Sequence, residues 1–205
     1  MDIICDLDRA RSRVCNGDPG LQYVSRELRN NRDLVLLAVK QCGRNLSFAH
    51  KRLKDDREIV LAAVQNDGAA LVFASEKMKK NREVVLAAVE NCGNALASAS
   101  DEMKDDEDIV LTAVKRAGFA LKYASKRLKG NRNIVLAAVE ESGPALCYAS
   151  DELKEDSGVA LVAIKQSSEA FGYVSTKLHS ETEFVVGILS MGKRLKLEIE
   201  IEEED

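Results

Sequence analysis

The sequence predicts an all-α fold, a right- or left-handed α-solenoid of about eight two-helix repeats. Three observations carry this. A 25-residue pattern recurs without insertion along the chain. Each copy places apolar residues at helical spacing. The composition is rich in helix formers, with no Trp and only two prolines among 205 residues.

The pattern is clearest in NREVVLAAVENCGNALASASDEMKD from Asn81, which returns as NRDLVLLAVKQCGRNLSFAHKRLKD from Asn31 and DREIVLAAVQNDGAALVFASEKMKK from Asp56. Two further regular copies begin at Asp106 and Asn131. We number the units 1 to 8, starting at residues 6, 31, 56, 81, 106, 131, 156 and 181. Residues 1–30 read as an N-terminal capping repeat, 31–155 as five regular repeats, 156–194 as divergent C-terminal repeats and 195–205 as an acidic tail with strand-like alternation.

Within a unit the first helix opens on Asn31, Asp56, Asn81, Asp106, Asn131 or Asp156, whose side-chain oxygens suit the N-cap. Asp33, Glu58, Glu83 and Asp108 follow in the first turn, where the helix dipole favours acid. Ile59, Val60, Leu61, Ala63 and Val64 form a broad apolar surface, as expected for a helix between neighbours. Gly43, Gly68, Gly93, Gly118 and Gly143 stand where a left-handed residue would end that helix. The second helix presents Leu71, Ala74 and Met78 on one face. The Ser after each Ala, as in Ser75, Ser100 and Ser125, is a candidate cap that would break it before a final turn. Phe48, Phe73, Tyr123, Tyr148 and Tyr173 recur at one place, expected to fill the gap between layers.

One such unit cannot bury its own apolar surface, so it must stack on copies, giving a rod or shallow superhelix roughly 70–80 Å long. The ends differ from the middle. Unit 1 carries Arg9, Arg11 and Arg13 in place of apolar residues, as a solvent-facing cap would. Unit 8 keeps Phe184, Val185, Val186, Ile188 and Leu189. Beyond it Leu195, Leu197, Ile199 and Ile201 alternate with charged residues. That alternation reads as a strand, and three roles stay open: a solubilising tail, a fold-back over the last repeat, or pairing with another chain.

The units NREVVLAAVENCG–NALASASDEMK and DREIVLAAVQNDG–AALVFASEKMK resemble the family designated domain of unknown function 4116. The resemblance covers nearly the whole chain and is strongest over residues 31–155. It implies paired copies of the same helical unit and brings no catalytic residues and no cofactor.

The function classes narrow accordingly. A net charge of -4 argues against general affinity for nucleic acid or anionic membrane. No apolar run is long enough to insert in a bilayer and the first residues lack the order of a secretory signal, so a soluble, cytoplasmic protein is expected. The odd set Cys5, Cys15, Cys42, Cys92 and Cys147 contains no CxxC pair, which argues against a disulfide framework or a metal knuckle. His50 and His179 lie about five units apart, too far for a shared metal or catalytic dyad, so a non-enzymatic protein is expected.

Repeat arrays bind through positions that vary while packing positions repeat. Here these fall on either side of each glycine, and the candidate partner-binding residues are Lys115, Arg116, Phe119 and Lys122, with Glu90 and Asn94 beside them. A second, basic ridge runs through Lys54, Lys79, Lys104, Lys129 and Lys154. Dipole compensation and local pairing explain it, with an acidic partner or a nucleic-acid backbone as the alternatives. The leading expectation is a scaffold that binds a protein or peptide. The alternatives are a structural or assembly subunit, self-associating through the C-terminal end, and, more weakly, a binder of nucleic-acid backbone.

Overall fold

The computed structural model describes residues 3–15, 20–181, 184 and 186–189. The strand expected within 195–205 lies outside these residues, as do Val185 and the segment 190–194.

Units 2 to 7 each begin with a ten-residue α-helix: Arg32–Gln41, Arg57–Asn66, Arg82–Asn91, Glu107–Arg116, Arg132–Glu141 and Ser157–Gln166. The cap expected at each start is made. The side chains of Asn31, Asn81, Asp106 and Asp156 accept the third helical amide, while Asp56 and Asn131 accept both the second and third. The caps alternate Asn, Asp, Asn, Asp along the array, a period of two units.

The second element is a six-residue 3-10 helix, as in Gly68–Phe73, and the repeated Ala-Ser pair does break it. Ala74 and Ser75 are extended, and a last short turn, Glu76–Lys79, follows, with the Ser75 hydroxyl accepting from Met78. Three residues per turn give this helix three distinct faces. In unit 3 Gly68 and Leu71 face the core, Ala69 and Val72 face outward, and Ala70 is buried in line with the half-buried Phe73.

The first helices stack on one another in one layer and the 3-10 helices in a second. Between them runs a continuous core in which, taking unit 3, Ile59, Val60, Ala63, Val64, Leu71, Ala74 and Met78 are buried. The aromatic row differs from expectation. Phe48 is 36% and Tyr173 44% exposed, and Phe73, Tyr123 and Tyr148 are half-buried, so these rings lie along an outer edge and the gap between layers is filled by Leu and Ala.

The glycines also have a different purpose. None has left-handed backbone, and each helix ends instead at an extended residue before the glycine, such as Cys42 or Asp67. A Cβ on Gly43 would collide with the carbonyl oxygen of Ala63 in the next unit, and one on Gly68 with that of Ala88. Gly93, Gly118 and Gly143 meet Ala113, Ala138 and Ala163 in the same way. The residue is required by close approach between units.

A backbone ladder joins the units. The amide of His50 donates to Arg29, and those of Ser75, Ser100, Ser125, Ser150 and Ser175 donate to Lys54, Lys79, Lys104, Lys129 and Lys154, at 2.9–3.1 Å. In unit 1 the same amide, Ser25, donates to the carbonyl of Ile4, which stands 25 residues before Arg29. Ile4 and Val24 form a parallel bridge there. Unit 1 otherwise follows its sequence, with the helix Leu7–Cys15 burying only Ala10 and Val14.

Candidate functional site

Two long edges result, one at the N-terminal ends of the first helices and one at their C-terminal ends. The first edge is closed on itself. Arg32 Nε reaches Asp56 at 2.9 Å, Arg82 reaches Asp106 at 2.9 Å and Arg132 reaches Asp156 at 3.0 Å, each joining one unit to the cap of the next. Arg57 pairs with Glu83. For Asp56 and Asp106 partial burial pushes the carboxyl upward, but the arginine and the capped amides outweigh it and hold both below the usual carboxylate range. For Asp156 the hydrogen bond from Arg132 is the largest influence, in the same direction.

The basic ridge runs beside the row of aromatics and is half-buried throughout. Lys54 Nζ donates to the Ser47 carbonyl at 2.8 Å, at the C-terminal end of the preceding 3-10 helix, and Arg29 does likewise to Gln22 and Val24. Lys79 pairs with Glu76 at 2.9 Å and Lys154 with Asp151 at 3.4 Å. Burial lowers the pKa of Lys54 and of Lys129. Beside the ridge, adjacent units leave open notches, such as one of about 550 Å³ lined by Arg29, Phe48 and His50 and one of about 320 Å³ lined by Lys129, Tyr148 and Ser150.

The C-terminal edge carries the variable positions. Lys115, Arg116, Phe119, Lys122, Glu90 and Asn94 are all exposed there. Phe119 and Lys122 are three residues apart in a 3-10 helix and therefore share a face, next to the last turn of the helix that carries Lys115 and Arg116. Phe119 is 46% exposed and meets Tyr148 of unit 6 edge to face at 6.2 Å. Lys122 lies 5.8 Å from the centre of the Tyr123 ring. Among the described residues no carboxylate pairs with Lys115, Arg116 or Lys122.

One group on this edge escaped sequence reasoning. Asn66 accepts from the Gly43 amide at 2.7 Å and donates to the Lys40 carbonyl at 3.1 Å, stapling unit 3 to unit 2. Asn91 does the same to Gly68 and Gln65, and Gln166 to Gly143 and Glu141. Asn66 and Asn91 sit among the variable positions, yet their carboxamides are occupied within the array. The signal available in sequence was chemical: a carboxamide both donates and accepts, and one stands at the same unit position in units 1, 2, 3, 4 and 7, as Asn16, Gln41, Asn66, Asn91 and Gln166. At this position Arg116 has no acceptor and Glu141 no donor, and neither makes the staple.

Chemistry of other kinds finds no constellation. Among the described residues no three His, Cys, Asp or Glu side chains are grouped to hold a metal ion. His50 and His179 stand in units 2 and 7, and His179 is stacked on Phe171 with ring centres 4.5 Å apart. No described helix is long and apolar enough to cross a membrane.

Stacked 25-residue helical units on a shared core, with one self-paired edge and one variable edge, define a repeat α-solenoid. The model of the family described as domain of unknown function (DUF4116) matches residues 14–54, 31–79, 56–104, 81–129 and 131–179, and the chain belongs to that family. No curated protein and no solved structure matches it.

Proposed function

We propose that the chain is a non-enzymatic scaffold whose variable edge, centred on Lys115, Arg116, Phe119 and Lys122, holds an acidic protein segment bearing an apolar residue. One observation carries this reading: three cations without a carboxylate partner surround a ring that is 46% exposed, whereas arginines on the opposite edge are paired with acids of the next unit. An exposed aromatic flanked by unpaired cations combines an anchor for apolar contact with attraction to acid. Glu90 and Asn94 on one side, and Glu140 and Glu141 on the other, change the sign of the edge and would set the register of a bound segment.

The test is affinity capture from native extract with the intact chain beside a variant carrying Ala at those four positions, followed by titration of each captured partner against both. Loss of a partner by the still-folded variant, at least ten-fold in Kd, supports the reading; equal affinity for both sinks it. Binding that persists from low to high salt would argue for apolar contact alone and against any phosphate-driven mode.

A second reading, an assembly subunit that self-associates through its C-terminal end, has its own observation. Phe171 is 43% exposed, Val186 58% and Leu189 61%, and Phe171 and Leu189 line one apolar cleft on units 7 and 8. Sedimentation of the intact chain and of Val186→Lys with Leu189→Lys discriminates: a dimer lost in the variant favours assembly, and a monomer in both removes it.

A further inference from the structure

We infer that the described array is divided between units 5 and 6, where two cooperative blocks, units 2–5 and units 6–7, meet at a joint between Gly130 and Asn131 that opens before its neighbours. The junctions from 2/3 to 6/7 all share the core, the serine ladder and the glycine contact, including Ser150 to Lys129 at 2.9 Å and Gly118 against Ala138. They differ in three recurring kinds of polar tie, beside the single Arg44–Asp67 pair at 2/3.

The first kind is the arginine on the N-terminal edge, present at 2/3, 3/4, 4/5 and 6/7 as Arg32–Asp56, Arg57–Glu83, Arg82–Asp106 and Arg132–Asp156. At 5/6 the equivalent residues are Glu107 and Asn133, and Glu107 instead pairs with Arg127 inside unit 5. The second is the carboxamide staple, present at 2/3, 3/4 and 6/7 and replaced by Glu141 at 5/6. The third is an acid closing units 2, 4 and 6. Asp55 takes the Ser75 hydroxyl and Lys77, Asp105 takes the Ser125 hydroxyl and Arg127, and Glu155 takes Lys177. At 5/6 that acid is Gly130, opposite Glu152.

Every other one of these junctions thus has two or three kinds of tie, and among the described residues 5/6 has none. Beyond the shared contacts, the edge-to-face pair of Phe119 with Tyr148 crosses it. The family matches respect the same boundary: one ends at 129, the next begins at 131, and none of the five spans it. In a one-dimensional array stability is the sum of units and nearest-neighbour couplings, so the least-coupled junction is where cooperativity divides. The joint runs beneath the variable edge, so a ligand touching both Phe119 and Tyr148 would hold it closed.

Amide hydrogen exchange on the full chain tests this, reading the ladder amides of Ser100, Ser125, Ser150 and Ser175. Ser150 is expected to exchange about ten-fold faster than Ser125, and faster than Ser175 although Ser175 is nearer the end. Protection of Ser150 equal to that of Ser125, or a smooth gradient toward the C-terminal end, overturns the joint. A repaired variant, Gly130→Asp with Glu141→Asn and Glu152→Arg, copies the ties of junction 2/3 and 4/5. A Cβ at position 130 would lie 3.4 Å from the Arg127 carbonyl oxygen and 3.7 Å from Ser150 Oγ, both ordinary contacts, so the change fits. Ser150 in this variant should slow to the Ser125 rate; an unchanged rate in a folded variant would show that the missing ties are not the cause.

Discussion

The N-terminal and C-terminal edges of the first helices are built from the same unit and do different work. On the N-terminal edge every cap from Asn31 to Asp156 is Asn or Asp, each holds an amide, and four arginines reach into the following unit. On the C-terminal edge the side chains change from unit to unit: the carboxamides of Asn66, Asn91 and Gln166 and the Arg44–Asp67 pair tie one unit to another, while Lys115, Arg116 and Lys122 face solvent. The lesson is that repetition marks a structural role well, whereas variation marks a free surface only after side chains occupied by neighbouring units are removed from it.

The comparison breaks first where both edges depend on the core. Gly68→Ala sets a methyl against the Ala88 carbonyl, and should destabilise the array by about 3 kcal/mol in urea unfolding, more than any change at an edge. Loss of less than about 1 kcal/mol would mean the units can slide apart cheaply and that the close approach is incidental.

Acid comes next, because it acts on the N-terminal edge at several junctions together. Asp56, Asp106 and Asp156 are held below the ordinary carboxylate range when folded. A lowered folded value means the ionised form is favoured by folding, so the stabilisation is complete above the unfolded value of about 3.9 and fades as pH falls through the folded value. Asp105, lowered by the Ser125 hydroxyl and by Arg127, behaves alike. Junction 5/6 has no such carboxylate, so lowering the pH from 7 to 3 should narrow the exchange difference between Ser125 and Ser150. A difference independent of pH would separate the carboxylates from the stitching.

Single edge substitutions sharpen the contrast further. Asp106→Ala removes a cap and the Arg82 pair together and should cost about 1–2 kcal/mol. Asn91→Ala, on the variable edge, should cost about 1 kcal/mol because it leaves the Gly68 amide and Gln65 carbonyl to water. Replacing Lys115 or Lys122 with Ala should change stability by less than about 0.5 kcal/mol each, since neither is paired across a junction or buried. Equal losses for Asn91 and Lys115 variants would erase the distinction between staple and free surface.

Much of this architecture was legible in the sequence. The period placed the units, the N-caps were written in Asn and Asp, and the apolar spacing named core residues such as Ile59, Val60 and Leu71. Contacts made across units were less legible. The glycine looked like a local turn residue because its partner, the Ala carbonyl of the next unit, lies 20 residues on, as Ala63 does from Gly43. The aromatics looked internal because apolar recurrence does not report which face of a 3-10 helix a residue takes. For the candidate edge, exposure of Lys115 and Phe119 was legible from variability, whereas the occupied carboxamides needed the neighbouring unit in place.

The alternation of Asn and Asp caps bears on how such a chain tolerates being lengthened or shortened. Excision of residues 56–80 would replace the Asp56 cap beside Arg32 with the neutral Asn81, leaving Glu83 as the acid in reach, and set Asp55 against Glu102, like charge where Lys77 had been. Excision of residues 56–105, followed by rejoining, would bring Arg32 to Asp106 and leave position 55 opposite Arg127, so opposite charges meet again. Over units 2 to 5 the natural length of exchange is therefore the couple, and removal of unit 3, 4 or 5 alone would leave a scar of mismatched charge at the seam.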